Sequence, residues 1–276
     1  MMGTTLIRRI FTALWFLTGT AAVAAPLQMV LLENHMPLSA DKRINVEIRI
    51  LPKLQQIALP DIQIEPQLLS NARAWEMLRQ PGHYCALNKV HTPERATFLY
   101  FAKLPTSVYP PLQLLSTRPL SDHPIDLEVL LKQQPELKIG VVSGRSYNAR
   151  IDALIKQYPQ QFYQRSGDDA AENLALMLGK KRLDAVIEFA AIVRASLKKQ
   201  GLDQTIIGQQ LQGVALSRGF IVCNKSPLGL QLIRLLDQKM QDRQYQADLV
   251  RYHREFFSAS DYALIHADLM QYFPPQ

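Results

Sequence analysis

A strand-then-helix alternation that runs, breaks at a cluster of prolines and then restarts most limits how this chain can fold. LQMVLLEN (27–34) is a short apolar run with a polar exit, the pattern of a buried strand. INVEIRILPKLQQIAL places apolar residues near helical spacing, and Pro52 is expected to start or break the helix there. IQIEP alternates as a short strand, and SNARAWEMLRQ reads as a helix capped by Ser70 or Asn71. After Pro81-Gly82 comes another strand, HYCALNKV.

Five prolines then fall between positions 105 and 124, the composition of a crossing segment. Beyond them KIGVVSG is a strand, RIDALIKQY a helix and QFYQRSG a strand. DDAAENLALMLGKKR is an amphipathic helix with Asp168 and Asp169 near its start, where acids suit the helix dipole. LDAVIEF is a strand, and AAIVRASLKKQG a helix closed by Gly201. GVALSRGFIVCNKS reads as extended, and Ser226-Pro227 opens a long amphipathic helix toward Phe257. This order predicts an α/β protein of two Rossmann-like lobes, each a largely parallel sheet with helical cover. Residues 25–115 plus 218–276 form lobe one, and 120–212 form lobe two, inserted between its halves. Two chain crossings, at the proline-rich stretch and near 212–218, join them.

The N-terminus carries a different signal. Arg8 and Arg9 precede an apolar run at 10–23, and Ala22-Val23-Ala24 supplies a small-x-small cleavage pattern. Residues 1–24 are therefore expected to be a signal peptide, cleaved after Ala24, and the protein to be periplasmic. No later stretch is apolar enough to span a membrane. Without Arg8 and Arg9, 29 basic residues face 24 acids, leaving a net +5 from the formal +7. The excess is scattered, densest at Lys180-Lys181-Arg182 and Lys198-Lys199, as solvated helix faces require. Nucleic acid is not an expected partner. The two cysteines, Cys85 and Cys223, suit a disulfide in an oxidising compartment, or two separate buried thiols among apolar neighbours.

Catalytic signatures are missing from the sequence: there is no Gly-x-Ser-x-Gly, no His-Glu-x-x-His and no Walker A loop. Ser196-Leu-Lys-Lys199 matches Ser-x-x-Lys without its partner motifs, a chance match late in a polar helix. The six histidines (35, 83, 91, 123, 253, 266) have no ligand spacing, so neither a metal nor another cofactor is expected.

Three segments carry a resemblance. NARAWEMLRQPGHYCALNKVHTPERATFLYFAKLP runs helix, Gly, strand, Thr-x-x-Arg, then an aromatic strand ending in Pro. KIGVVSGRS and MLGKKRLDAVIE follow in order. In that order they resemble the type II periplasmic solute-binding proteins, and more narrowly family 3, the amino-acid-type receptors, over nearly all of the chain after residue 24. The resemblance implies a bilobal, monomeric receptor that closes on a small solute and hands it to a membrane permease or sensor. It also implies that Arg95 of Thr-x-x-Arg holds a ligand carboxylate, through bidentate, charge-assisted bonds, with Thr92 ordering the turn. On lobe two it implies an anion site at the helix start Gly144-Arg145-Ser146. It puts the strands of Cys85 and Cys223 side by side, favouring the disulfide.

The sequence also departs from that family. Met36-Pro37-Leu38 stands where an aromatic follows the first strand, and Asn88, Lys89 and Val90 stand in the ligand-touching serine region. Phe189 replaces the aspartate that grips an α-ammonium, with Glu188 one residue earlier. Two arginines and a missing acid point to a solute more anionic than a free amino acid, with Asn88, Ser146 and Glu188 as further contacts. Two other readings remain: a lyase similar to the periplasmic cyclohexadienyl dehydratases, with Glu188 as acid or base, and a degenerate receptor that binds only a protein partner.

Overall fold

The computed structural model describes residues 25–33, 46–121, 124–167, 169–202 and 204–274. The expected signal peptide (1–24), Met36-Pro37-Leu38, His35, His123 and Asp168 lie outside the described residues.

The first half of the chain builds β1 (Leu27–Glu33), β2 (Ile62–Leu68), β3 (Tyr84–Val90) and β4 (Leu99–Tyr109), with helices α1 (Val46–Ala58), α2 (Asn71–Leu78) and α3 (Pro93–Ala96) between them. Lobe two follows with β5 (Gln113–Ser116), α4 (Leu127–Gln133), β6 (Ile139–Val142), α5 (Ala149–Gln157), β7 (Phe162–Arg165), α6 (Ala170–Gly179), β8 (Ala185–Glu188), α7 (Ala190–Lys199) and β9 (Ile207–Gln210). The chain then returns as β10 (Ser217–Asn224), α8 (Pro227–Lys239), α9 (Arg243–Phe256) and α10 (Ala259–Tyr272).

Two five-stranded sheets result, ordered β2-β1-β3-β10-β4 and β7-β6-β8-β5-β9. In the first, β1 pairs in parallel with β2 and β3, while the returning β10 is antiparallel to both β3 and β4. In the second, β6 pairs in parallel with β7 and β8, and β5 runs antiparallel to β8 and β9. Lobe two therefore begins earlier than the sequence suggests: Gln113–Ser116, assigned to lobe one or its edge, is a strand of the second sheet. An antiparallel strand in the middle of each sheet also makes both sheets mixed rather than largely parallel.

Two helical expectations change. The α1 helix continues through Pro52 instead of starting or breaking there. Val46, Ile50, Leu54 and Ala58, four residues apart, are all fully buried on one face, while Pro52 is exposed. Burying that face outweighs a proline defect of about 3 kcal/mol. The long helix expected after Pro227 is two helices, because Asp242 caps a new one by accepting from the Tyr245 N–H at 2.7 Å.

Cys85 and Cys223 sit directly opposite each other on β3 and β10 and form a disulfide, with Cα atoms 4.0 Å apart. Against β4 of the same sheet, α9 buries His253 completely. Its Nε2 accepts from the Val108 N–H of β4 at 2.9 Å, so Nδ1 carries the proton and donates to Leu249 O at 2.7 Å. Burial pushes this histidine down to about 4. A group held neutral in the fold but basic near 6.5 when unfolded contributes stability present in full above that pH and lost as pH falls toward 4. His253→Gln, which can still accept from Val108, should flatten the dependence of urea midpoints on pH between those limits. A slope unchanged by the substitution would show that His253 does not set it.

Candidate functional site

The C-terminal end of β3 is shaped by one glycine on its neighbour. Asn88 has φ 53, in the left-handed region, beside a register shift of β10 between Phe220 and Val222. A Cβ on Gly219 would come within 1.9 Å of Asn88 Oδ1 and 2.5 Å of Ser107 Oγ, so only glycine leaves room for the Ser107-to-Asn88 hydrogen bond of 2.8 Å. That kink leaves Asn88 exposed and the next residue, Lys89, buried. Thr92 then caps α3 by accepting from the Arg95 N–H at 3.2 Å. The short turn sends Arg95 back along the strand end, where its Nη1 donates to Val90 O at 2.9 Å. Its guanidinium stacks 4.3 Å above the Trp75 ring. Burial lowers the Arg95 pKa, yet a guanidinium stays charged in proteins.

Lobe two answers with the turn after β6. Gly144 takes φ 75. Ser146 donates to Asp152 Oδ2 at 2.7 Å, and the Tyr147 N–H donates to Oδ1 at 2.9 Å, fixing the start of α5. Arg145 Nη1 donates to Glu188 Oε2 at 2.5 Å, while Glu188 Oε1 accepts from the Phe189 N–H at 2.9 Å. Burial works against the Arg145 charge, but Glu188 and the Tyr147 phenol outweigh it and hold the group above its usual range. Glu188 itself is buried and does not line the cleft. The residue expected as a ligand contact, or as a lyase acid, thus has both oxygens engaged within the protein and braces Arg145. Strand alternation explains this, since residue 188 points into the sheet packing and residue 189 toward the cleft.

Between the sheets lies a cavity of about 540 Å³, lined by Lys89, Arg95 and Asn88 from lobe one and by Arg145, Ser146 and Phe189 from lobe two. A wider recess of about 1080 Å³ adjoins it, sharing Arg95, Arg145 and Ser146 and adding Thr92. Of the expected residues, Arg95, Asn88, Arg145 and Ser146 therefore meet in one space, Thr92 stands at its outer side and Glu188 behind it. Trp75 Nε1 donates to Gly144 O at 3.0 Å between the two spaces, joining the lobes directly.

The cavity floor holds residues that the sequence did not single out. Glu33, at the end of β1, accepts from the Leu87 N–H at 3.0 Å, and Glu47 of α1 accepts from Tyr109 OH at 3.0 Å. Burial raises Glu33 to about 7, against the pull of Lys89, and burial also raises Glu47. Burial lowers the Lys89 ammonium; Glu33 opposes that, while Arg95 and Arg145 add to it. Burial favours the neutral forms of both floor acids, while both guanidiniums stay charged. Lys89 had one legible sign, its departure in the ligand-touching serine region, though its charge sits inside the strand YCALNKV at a position where alternation points inward. Glu33, Glu47 and Trp75 had none, because their partners are distant in sequence. No group of three His, Cys, Asp or Glu able to hold a metal occurs among the described residues.

No protein-family model matches the sequence, and no curated protein matches it as a relative. The fold has clear counterparts among solved structures. One, from work on glutathione import in Gram-positive bacteria via GshT and the cystine ABC importer TcyBC of Streptococcus mutans, aligns over 84% of this chain and 95% of that one, at 15% identity and TM-score 0.63. A putative L-cystine ABC transporter protein from Listeria monocytogenes aligns over 86% and 98%, at 12% identity and TM-score 0.63. The periplasmic VFT2 domain of BvgS from Bordetella pertussis aligns over 82% and 92%, at 16% identity and TM-score 0.54. Two mixed sheets with helical cover agree with these counterparts: the chain has the bilobal fold of the type II periplasmic solute-binding proteins and resembles their family 3 members.

Proposed function

We propose that this protein is an exported receptor that captures a small carboxylate-bearing anion between its lobes and presents it to a membrane permease or sensor. The observation that carries the reading is the meeting of Lys89 and Arg95 from one lobe with Arg145 from the other around a single cavity. Three cations converging on one space repel one another, and an anion placed among them relieves that repulsion only when the lobes are together. Both guanidiniums are pre-aimed, Arg95 by Val90 O and Trp75, Arg145 by Glu188. Each keeps further N–H donors for a ligand, and a fork of that kind suits a carboxylate.

Likeness of fold to binding proteins of importers and to a sensor domain supports a membrane partner of one of those kinds. The fully engaged Glu188 weighs against the lyase reading, which needs a free carboxyl in the cleft.

The test is a thermal-shift screen of mono-, di- and tricarboxylates, acidic amino acids and neutral amino acids. Stabilisation by carboxylates without turnover supports the receptor. Silence across every anion, or chemical conversion of a hit, removes it. The floor adds a pH dependence. Glu33 ionises as pH rises through about 7 and places a negative charge beside the anion. Affinity should fall several-fold across that step, and Glu33→Gln should abolish the fall. Affinity that rises with pH would contradict this electrostatic account.

A further inference from the structure

We propose that Trp75 is the positioning residue for lobe closure: a latch carried on lobe one whose indole N–H holds lobe two through the Gly144 carbonyl. The donor, in α2 of lobe one, and the acceptor, in the turn after β6 of lobe two, are 69 residues apart in sequence, and Nε1 reaches Gly144 O at 3.0 Å. Trp75 and Gly144 line both the inner cavity and the outer recess, so their contact lies where the two spaces adjoin.

Lobe one holds the indole from several directions. Arg95 lies 4.3 Å from the ring centre and Lys89 5.6 Å from it. Phe98 meets it edge-on with centroids 6.5 Å apart. An indole has one polar atom, and it can only donate. The ring contacts named here are with lobe one, and the one donor is given to lobe two.

The acceptor side fits the same role. Gly144 has φ 75, a left-handed conformation that side chains rarely adopt, so a glycine-favouring turn presents this carbonyl to the ring. Arg95 rides on the same ring, so the group proposed to hold the anion is mechanically tied to the group that joins the lobes.

The purpose of the latch rests on reading the cleft as a solute site, but the latch itself is tested with no solute present. In the full chain carrying Trp15→Phe, Trp75 is the only tryptophan. Its indole N–H resonance should exchange with water at least tenfold more slowly than a free indole. Trp75→Phe keeps a ring for Arg95 and Lys89 but removes the donor. The net worth of one hydrogen bond then shifts the closed-to-open ratio by about two- to tenfold, read as a larger radius of gyration in X-ray scattering. The melting temperature should stay within a degree or two. Free-rate exchange of the indole overturns the proposal. So does a Trp75→Phe protein with an unchanged scattering curve, and most clearly one that also melts several degrees lower, since Trp75 would then be packing for lobe one alone. A chain that binds no carboxylate yet shows the protected indole and the opened variant keeps the latch and loses the receptor.

Discussion

Replacing Cys85 and Cys223 together with alanine should lower the free energy of unfolding by about 4–5 kcal/mol, among the largest effects a pair of substitutions can have here. The bond closes a separation of 138 residues, and that loop contains the whole of lobe two. In the loop-entropy model, so long a cross-link removes a large share of the freedom of the unfolded chain. Both sulfurs are fully buried between neighbouring strands, so the alanines also leave a small space under the sheet. Denaturant midpoints of the variant and the oxidised parent at equal m-value measure the difference. A loss below about 1 kcal/mol would mean that the unfolded state is already compact enough to make the tether redundant.

Arg95→Ala should weaken binding of the best carboxylate from the stability screen by about ten- to a hundredfold, from loss of charge-assisted bonds worth about 1.5–3 kcal/mol. Arg95→Lys should recover only part, because an ammonium lacks the planar fork and stacks less well on Trp75. The melting temperature of the free protein should hardly move, since the side chain is only half-buried and its one intramolecular hydrogen bond is to Val90 O. Titration calorimetry of the three proteins reads the series. If Arg95→Ala binds as tightly as the parent but melts much lower, the residue is structural and the solute site lies elsewhere.

Much of the fold was legible because its signals are local. Apolar periodicity marked the strands that became β1, β3, β6 and β8, and Ser70 and Ser226 marked helix starts that side-chain caps now occupy. What could not be read depends on partners far away in sequence. Pro52 looked like a break because its neighbours' burial against the sheet is invisible in a window of ten residues. Asp242 sits inside an unbroken amphipathic pattern, so the restart at α9 left no periodic trace. For the site, Arg95 and Arg145 stood out through their motifs. The pairing of Glu188 with Arg145 was not legible, because the direction of a strand-end side chain turns on a single residue of register. The acids at 33 and 47 and the indole at 75 acquire meaning only once Lys89 and Gly144 are brought beside them.

The two crossings have a mechanical consequence. Tyr109 and Ser217 are paired where the chain leaves the first sheet, and Gln113 and Gln210 are paired where it enters the second. Residues 110–112 and 211–216 thus form a narrow ribbon of two neighbouring, oppositely directed segments. Such a ribbon bends readily out of its own plane and resists bending within it, as a strip of paper does. Motion of one lobe against the other is then expected to turn about these two segments. A stiffer residue anywhere in those nine positions should slow the opening for every solute alike, without altering which solute is preferred.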